Sequence, residues 1–177
     1  MKLVILDRDG TVNEDSDDYI KSPEEWRPIK GSLEAIARLT QADYRVVVAT
    51  NQSGIARGLF DTRTLFAIHD TLLRALAQHG GRIDAFFFCP HAPEAGCHCR
   101  KPQPGMLLEV ARRFNVPLDQ AYMVGDTQRD LEAAAAAGAR PVLVLTGKGT
   151  QARDAGKLPD GTRVFADLAA FAAHLAP

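Results

Sequence analysis

Short apolar segments alternate with longer segments of mixed polarity along almost the whole chain. The short segments are rich in Val, Leu, Ile and Phe, and their continuous apolar character predicts strands that are buried on both faces. In the longer segments apolar residues recur every three or four positions, which predicts helices with one buried face. The predicted strands cover residues 3–6, 45–49, 83–88, 121–124, 141–145 and 163–165.

The predicted helices follow the strands in regular alternation. Helices begin near residues 32, 62 and 105, an Ala-rich helix ends at Gly138, and a closing helix covers residues 167–175, with Ser32 as the expected N-cap of the first. Residues 12–30 are polar and predict an ordered loop with a small hairpin or turn. Alternating strands and helices predict an α/β fold with a mostly parallel sheet and helices on both faces. We find no linker or internal repeat, so we expect one domain over residues 1–177.

Composition narrows the function classes. The 177 residues are 46% hydrophobic and 24% charged, with a net charge of −1, so no basic surface for nucleic acid is expected. No apolar run approaches the roughly 20 residues that span a bilayer, and Met1 leads straight into a strand rather than a signal peptide. We therefore expect a cytoplasmic protein with neither membrane nor nucleic acid as a partner.

Polar residues of reactive type follow three of the predicted strands. Asp7 and Asp9 come directly after the first strand, in Asp-Arg-Asp-Gly-Thr; Thr50 ends the second; Asp126 follows the fourth, four residues before Asp130. In open α/β sheets ligands bind beyond the carboxyl ends of the strands, so these side chains are candidates for one site. An isolated pair of aspartates is as often a solvated loop, and Asp130 could instead cap or pair with the helix that follows.

Taken in order, Asp7 and Asp9, Thr50, Lys101 and Asp126 resemble the four signatures of the haloacid dehalogenase (HAD) superfamily of phosphotransferases. The resemblance implies a Rossmann-like three-layer sandwich. It also implies that Asp7 is a nucleophile that forms an aspartyl-phosphate, and that Asp9 is a general acid and then a general base. Thr50 and Lys101 would hold the phosphate. Mg²⁺ suits such a site because it takes few carboxylates and keeps phosphate and water oxygens as its other ligands; we assign it Asp7, the Asp9 carbonyl and Asp126.

The three cysteines form a second candidate site. All lie between residues 89 and 99, and their odd number argues against a disulfide framework. Cys89 and His91 are one residue apart, as are Cys97 and Cys99. Four nitrogen and sulfur ligands closing on one ion are typical of structural zinc. The alternative is three free thiols and a surface histidine.

Three segments resemble one group within this superfamily more specifically: residues 51–58, the Cys/His loop and residues 99–102. They are similar to HAD phosphatases that act on a sugar bisphosphate in lipopolysaccharide synthesis. This resemblance implies that the substrate is a phosphorylated sugar, a heptose bisphosphate, that loses the phosphate remote from its anomeric carbon. We expect the protein to be a monomer. No separate cap domain fits in the chain, so loops must select the substrate. The expected substrate-binding residues are Asp15, Tyr19, Asn51, Gln52, Ser53, Arg57 and Arg100.

Two alternatives stay open at this point. The short loop between His91 and Cys97 is also similar to histidinol-phosphate phosphatases, although Ser53 favours the sugar enzyme. A zinc-stabilised binding module without catalysis is the second alternative. A turnover assay with a small phosphate ester separates it from an enzyme.

Overall fold

Six parallel strands form a single sheet in this computed structural model, which describes all residues 1–177. The strands are β1 (Lys2–Leu6), β2 (Tyr44–Asn51), β3 (Ala85–Cys89), β4 (Tyr122–Gly125), β5 (Arg140–Val144) and β6 (Arg163–Phe165). They are arranged in the order β3-β2-β1-β4-β5-β6, and every neighbouring pair is parallel. The predicted parallel sheet is confirmed.

Helices cover both faces of the sheet. They are α1 (Ser32–Gln41), α2 (Thr62–Ala77), α3 (Gly105–Phe114), α4 (Gln128–Ala137), α5 (Gly149–Asp154) and α6 (Leu168–Leu175). Val4 and Leu6 of β1 join one hydrophobic core with α1, α2 and α6, whereas Leu3 and Ile5 join the other with α3 and α4. This alternation explains why β1 is apolar at consecutive positions, since a strand buried on both faces presents every side chain to a core.

One local prediction was wrong, and one helix was not predicted. Ser32 is the first residue of α1 and not its N-cap; that position belongs to Gly31, whose φ of 83° is left-handed. The Ser32 hydroxyl donates instead to the carbonyl of Val12, at 2.6 Å, and ties the helix to the loop after β1. Helix α5 was not predicted, because its six residues are mostly polar and lack an apolar period.

The winding of the chain determines where a ligand can bind. The chain runs outward from β1 through β2 to β3, then returns to place β4 on the other side of β1. A crevice opens beyond the carboxyl ends of strands where the winding reverses in this way. Asp7 follows β1 and Asp126 follows β4, so both aspartates lie at this crevice. None of the helices combines the length and the apolar character that crossing a bilayer requires.

Candidate active site and metal centre

A polar cavity of about 240 Å³ occupies the crevice beyond β1 and β4. Most of the predicted site residues line it, together with two cations that were not predicted. The lining side chains include Asp7, Asp9, Asp15, Tyr19, Asn51, Gln52, Ser53, Arg100, Lys101, Asp126, Arg129, Asp130 and Lys148. Thr50 is buried at the end of β2 beside this set, whereas Arg57 is exposed and lies outside the cavity.

Asp7 and Asp126 form an acidic pair on the cavity floor. Together with Asp130 they offer carboxylate oxygens that all lie within 4.8 Å of one another. Burial, then the charges of Asp130 and Asp9, raises the pKa of Asp7 to about 7, although Lys101 opposes the rise. Burial and the charges of Asp7 and Asp130 raise the pKa of Asp126 to about 8. Such mutual repulsion is relieved when a cation binds between the carboxylates.

The surroundings of Asp126 fit a metal ligand. Its Oδ2 accepts the backbone N–H of Lys148 at 2.8 Å, while its Oδ1 is buried and has no hydrogen-bond partner. An unpaired buried carboxylate oxygen is costly unless a cation or water completes it. Gly10, at a φ of 81°, passes so close that a Cβ there would collide with the Asp126 carboxylate. An all-oxygen donor set of this kind suits Mg²⁺.

Lys101 neutralises this acidic floor. Its ammonium group donates to Asp7 Oδ1 at 2.8 Å and to the carbonyl of Ala49 at 2.7 Å, and pairs with Asp130 Oδ1 at 2.7 Å. Burial by itself would lower the pKa of Lys101, but the carboxylates of Asp130 and Asp7 raise it above its usual value. Lys101 therefore stays charged, and all three of its N–H groups have an acceptor.

Asp130 both belongs to the site and caps the helix that follows, the two roles between which the sequence did not decide. Its Oδ1 pairs with Lys101, and its Oδ2 accepts from the backbone N–H and the hydroxyl of Thr127, at 3.0 and 2.7 Å. This arrangement is a capping box at the start of α4. One carboxylate thus fixes the helix end that follows Asp126 and the lysine that faces Asp7.

The polar side chains after β2 support the reactive groups. Asn51 binds the backbone of Lys101 in both directions, through its amide nitrogen at 3.0 Å and its amide oxygen at 3.1 Å. Gln52 donates to Asp9 Oδ2 at 3.0 Å and to the Thr50 hydroxyl at 2.8 Å. Two residues expected to contact substrate therefore hold Lys101 and Asp9 in place.

Arg100 and Arg129 form a cationic wall on the cavity. Both also line an adjoining cavity of about 440 Å³ beside the Cys/His loop. Partial burial, then the charge of Arg129, lowers the pKa of Arg100. On the opposite side Lys148 pairs with Asp15 at 3.2 Å and with Asp17 at 3.5 Å. In the sequence, only the position of Arg129 directly before Asp130 could have indicated that it lies at the site.

The Cys/His cluster comes together as the spacing predicts. The sulfur atoms of Cys89, Cys97 and Cys99 are 3.2–3.6 Å apart, and His91 Nδ1 lies 3.5 Å from Cys89 and 3.3 Å from Cys99. Tetrahedral zinc with bonds of about 2.3 Å to sulfur would separate two sulfurs by about 3.8 Å. Although burial by itself would raise it, the backbone N–H of Arg100 lowers the pKa of Cys97 to about 6. The donor set fits zinc.

Comparison with known proteins identifies the family. A HAD-hydrolase-like family model matches residues 98–171. The chain is 63% identical to the D-glycero-beta-D-manno-heptose-1,7-bisphosphate 7-phosphatase of Bordetella bronchiseptica, covering 99% of this chain and 98% of that protein. It is 55% identical to the protein of the same name from Pseudomonas aeruginosa, over 98% of this chain and 97% of the relative.

Solved structures agree with these relatives. The B. bronchiseptica D,D-heptose 1,7-bisphosphate phosphatase, crystallised with magnesium and phosphate, matches with a TM-score of 0.97 over 99% of this chain and 98% of that chain. The enzyme from Burkholderia thailandensis, 52% identical, matches with a TM-score of 0.80 over the same shares. The magnesium complex supports the expected Mg²⁺, while zinc stays a prediction. The chain belongs to the D-glycero-beta-D-manno-heptose-1,7-bisphosphate 7-phosphatase family of HAD-like phosphoric monoester hydrolases.

Proposed function

We propose that this enzyme removes the 7-phosphate of D-glycero-β-D-manno-heptose 1,7-bisphosphate, through an aspartyl-phosphate formed on Asp7, for lipopolysaccharide core synthesis. The observation that carries the proposal is the pairing of an acidic, lysine-neutralised floor with a wall of two arginines in the same cavity. The floor suits transfer of one phosphoryl group, and the wall suits binding of another. The names and substrates of the relatives agree with this assignment.

Asp7 is the proposed nucleophile. Two anions repel one another, so a carboxylate approaches a phosphate only where fixed positive charge surrounds both. Lys101 supplies one such charge, because its ammonium group is buried and held 2.8 Å from Asp7 Oδ1. The contact also orients the carboxylate, which leaves Asp7 Oδ2 as the oxygen that attacks phosphorus. Thr50, at the end of the neighbouring strand, is proposed to donate its hydroxyl to a phosphate oxygen.

Asp9 is the proposed general acid and base. Its side chain is about one-fifth exposed and lines the cavity beside Asp7. In the first half of the reaction it would give a proton to the departing sugar hydroxyl, and in the second it would take one from the attacking water. Proton transfer by a positioned side chain typically accelerates such steps by about 10²–10⁴-fold.

The cation is proposed to be held by Asp7, Asp126 and the backbone carbonyl of Asp9. When bound, Mg²⁺ would neutralise the phosphate oxygens and orient them toward Asp7. The unpaired Oδ1 of Asp126 and the raised pKa of both carboxylates support this assignment. Zinc is proposed at Cys89, His91, Cys97 and Cys99, with a structural role only, since four protein ligands leave no open position.

Substrate selection is assigned to the loops around the cavity. Arg100 and Arg129 would bind the phosphate on the anomeric carbon with paired N–H donors. Asp15, Tyr19 and Ser53 line the cavity and would bind sugar hydroxyls. Arg57 lies outside the cavity, so the proposal assigns it no contact. The monomeric state and cytoplasmic location stay predictions.

Parallel kinetics test the function. Purified enzyme is given β-heptose 1,7-bisphosphate, the α anomer and histidinol phosphate, and ³¹P NMR records which phosphate leaves. We expect the 7-phosphate to leave, with kcat/KM highest for the β-bisphosphate. Asp7→Asn should abolish turnover while leaving the fold intact, because an amide is not a nucleophile. Faster hydrolysis of histidinol phosphate, or turnover by Asp7→Asn, would refute the proposal.

A further inference from the structure

Arg8, between the two reactive aspartates, is fully buried although its side chain is charged. Its guanidinium group donates twice to a single oxygen, Asp9 Oδ1, from Nε at 3.0 Å and from Nη2 at 2.8 Å. Asn13 adds a third donor to the same oxygen, at 2.9 Å. Asp9 Oδ2 receives only the amide of Gln52, so one carboxylate oxygen is anchored and the other faces the cavity with capacity for a proton.

The far side of Arg8 contacts His69 of α2. Arg8 Nη1 lies 3.4 Å from His69 Nε2, and the imidazole ring is stacked on Phe86 of β3, with centroids 4.1 Å apart and planes 12° from parallel. Arginine can only donate, so Nε2 must be the acceptor and the imidazole proton must lie on Nδ1. His69 is itself buried, with 4% of its surface exposed. Helix α2 and strand β3 therefore fix the acceptor from two sides.

We propose that His69 is a positioning residue for catalysis, which acts through Arg8 to hold the Asp9 carboxylate in the orientation that delivers and accepts protons. The proposal rests on the role of Asp9 given above. His69 touches neither substrate nor metal. Its effect is to occupy the Nη1 edge of the guanidinium, so that Nε and Nη2 stay directed at Asp9 Oδ1.

The chemistry of His69 suits this task better than that of another polar residue. Burial, and then the charge of Arg8, lowers the pKa of His69 to about 3, so the ring stays neutral at the pH of catalysis. A neutral acceptor satisfies Arg8 without reducing its charge. A carboxylate in place of His69 would compete with Asp9 for Arg8, the only side-chain cation that pairs with Asp9. Stacking on Phe86 also holds the flat imidazole ring in one orientation, whereas a flexible side chain in place of His69 would not be held in this way.

The test uses two variants of similar size. His69→Met removes the acceptor and keeps an apolar body against Phe86, whereas His69→Gln keeps an acceptor near the position of Nε2. Rapid quench of the Mg²⁺-loaded enzyme measures formation of aspartyl-phosphate in a single turnover. The substrates are heptose bisphosphate, whose leaving alcohol needs a proton, and p-nitrophenyl phosphate, whose leaving group needs none.

We expect His69→Met to lower the ratio of the two rates, sugar over p-nitrophenyl, by about 10-fold, because a small displacement of a catalytic group has effects of that size or more. His69→Gln should restore most of the ratio. Leu72→Ala, one turn further along α2 in the same core, should lower thermal stability and leave the ratio unchanged. A ratio that His69→Met leaves unchanged, or that tracks stability in all three variants, would overturn the proposal.

Asp9→Asn separates this inference from the proposed function. If Asp9 is the general acid, Asp9→Asn lowers the same ratio by about 10²-fold or more. A normal ratio in Asp9→Asn refutes the assigned role of Asp9 and, with it, this inference. A low ratio in Asp9→Asn together with a normal ratio in His69→Met refutes only the role of His69.

Discussion

Asp126→Asn should make the Mg²⁺-free protein more stable while destroying its activity. In the native protein burial and the neighbouring carboxylates raise the pKa of Asp126 from 3.8 to about 8. The amide variant removes this charge without changing the shape of the side chain. Its oxygen can still accept the N–H of Lys148, and its amide N–H₂ replaces a repulsive contact with Asp7 by a donor.

The sign and size follow from proton linkage. The folded pKa lies above the unfolded value, so the folded state holds the proton longer, and wild-type stability falls as pH rises from about 4 to about 8. Between pH 5 and pH 8 the titration of Asp126 lowers the free energy of unfolding by at most about 4 kcal/mol, because each of the three pH units contributes up to about 1.36 kcal/mol. Charges at buried protein sites interact more weakly than they would in a dry interior, so we expect about 2 kcal/mol. The Asp126→Asn variant cannot ionise at this position, so it should not lose this stability as the pH rises.

Urea unfolding at pH 5 and pH 8 measures the effect. Mg²⁺ is removed by dialysis without a chelator, because a chelator would also remove zinc from the predicted Cys/His site. The variant should exceed wild type by more at pH 8 than at pH 5, and Asp160→Asn, an exposed aspartate, should match wild type at both. Added Mg²⁺ should stabilise wild type and not the variant. A variant less stable than wild type at pH 8, or a difference that does not grow with pH, would refute the reasoning.

Three further predictions concern the cation, the wall and the loop. Ca²⁺ in place of Mg²⁺ should inhibit, because its longer bonds displace the phosphate from Asp7; full activity in Ca²⁺ alone would contradict this. Arg129→Ala should raise KM for the bisphosphate at least about 10-fold more than for a monophosphate, and equal effects would exclude a second-phosphate contact. Cys97→Ala should lose zinc, lower kcat and increase hydrogen exchange in residues 89–101 while the sheet stays protected, since ordering a free loop costs about 1–2 kcal/mol per residue; unchanged kcat with an ordered loop would refute the coupling.

Most of the fold could be predicted because its signals are local. Strands buried on both faces have continuous runs of apolar residues in the sequence. Reactive residues follow such runs directly, as Asp7 follows β1 and Asp126 follows β4. Ser32 was misassigned because Gly31 supplies a left-handed φ that no side-chain pattern reveals. Helix α5 carries no apolar period, so its sequence looks like loop.

The site was harder to predict wherever a contact spans the sheet. Asn51 lines the cavity as expected, but its two hydrogen bonds to the backbone of Lys101, fifty residues away in sequence, were not predicted. Arg129 was overlooked because an arginine at a helix start usually lies in solvent, and only the folded loop brings it beside Arg100. The link from Arg8 to His69 joins the loop after β1 to α2, and nothing in either segment alone indicates it.

The fully engaged ammonium group of Lys101 also has a consequence for handling this enzyme. Amine-reactive acylating reagents attack the neutral amine, and Lys101 is buried, charged and bound to three acceptors. Lys2, Lys30 and Lys157 are exposed and away from the cavity. Brief treatment with an N-hydroxysuccinimide ester should therefore label or immobilise the protein through these surface amines first. Covalent attachment to a solid support can then proceed under conditions that leave Lys101 unmodified.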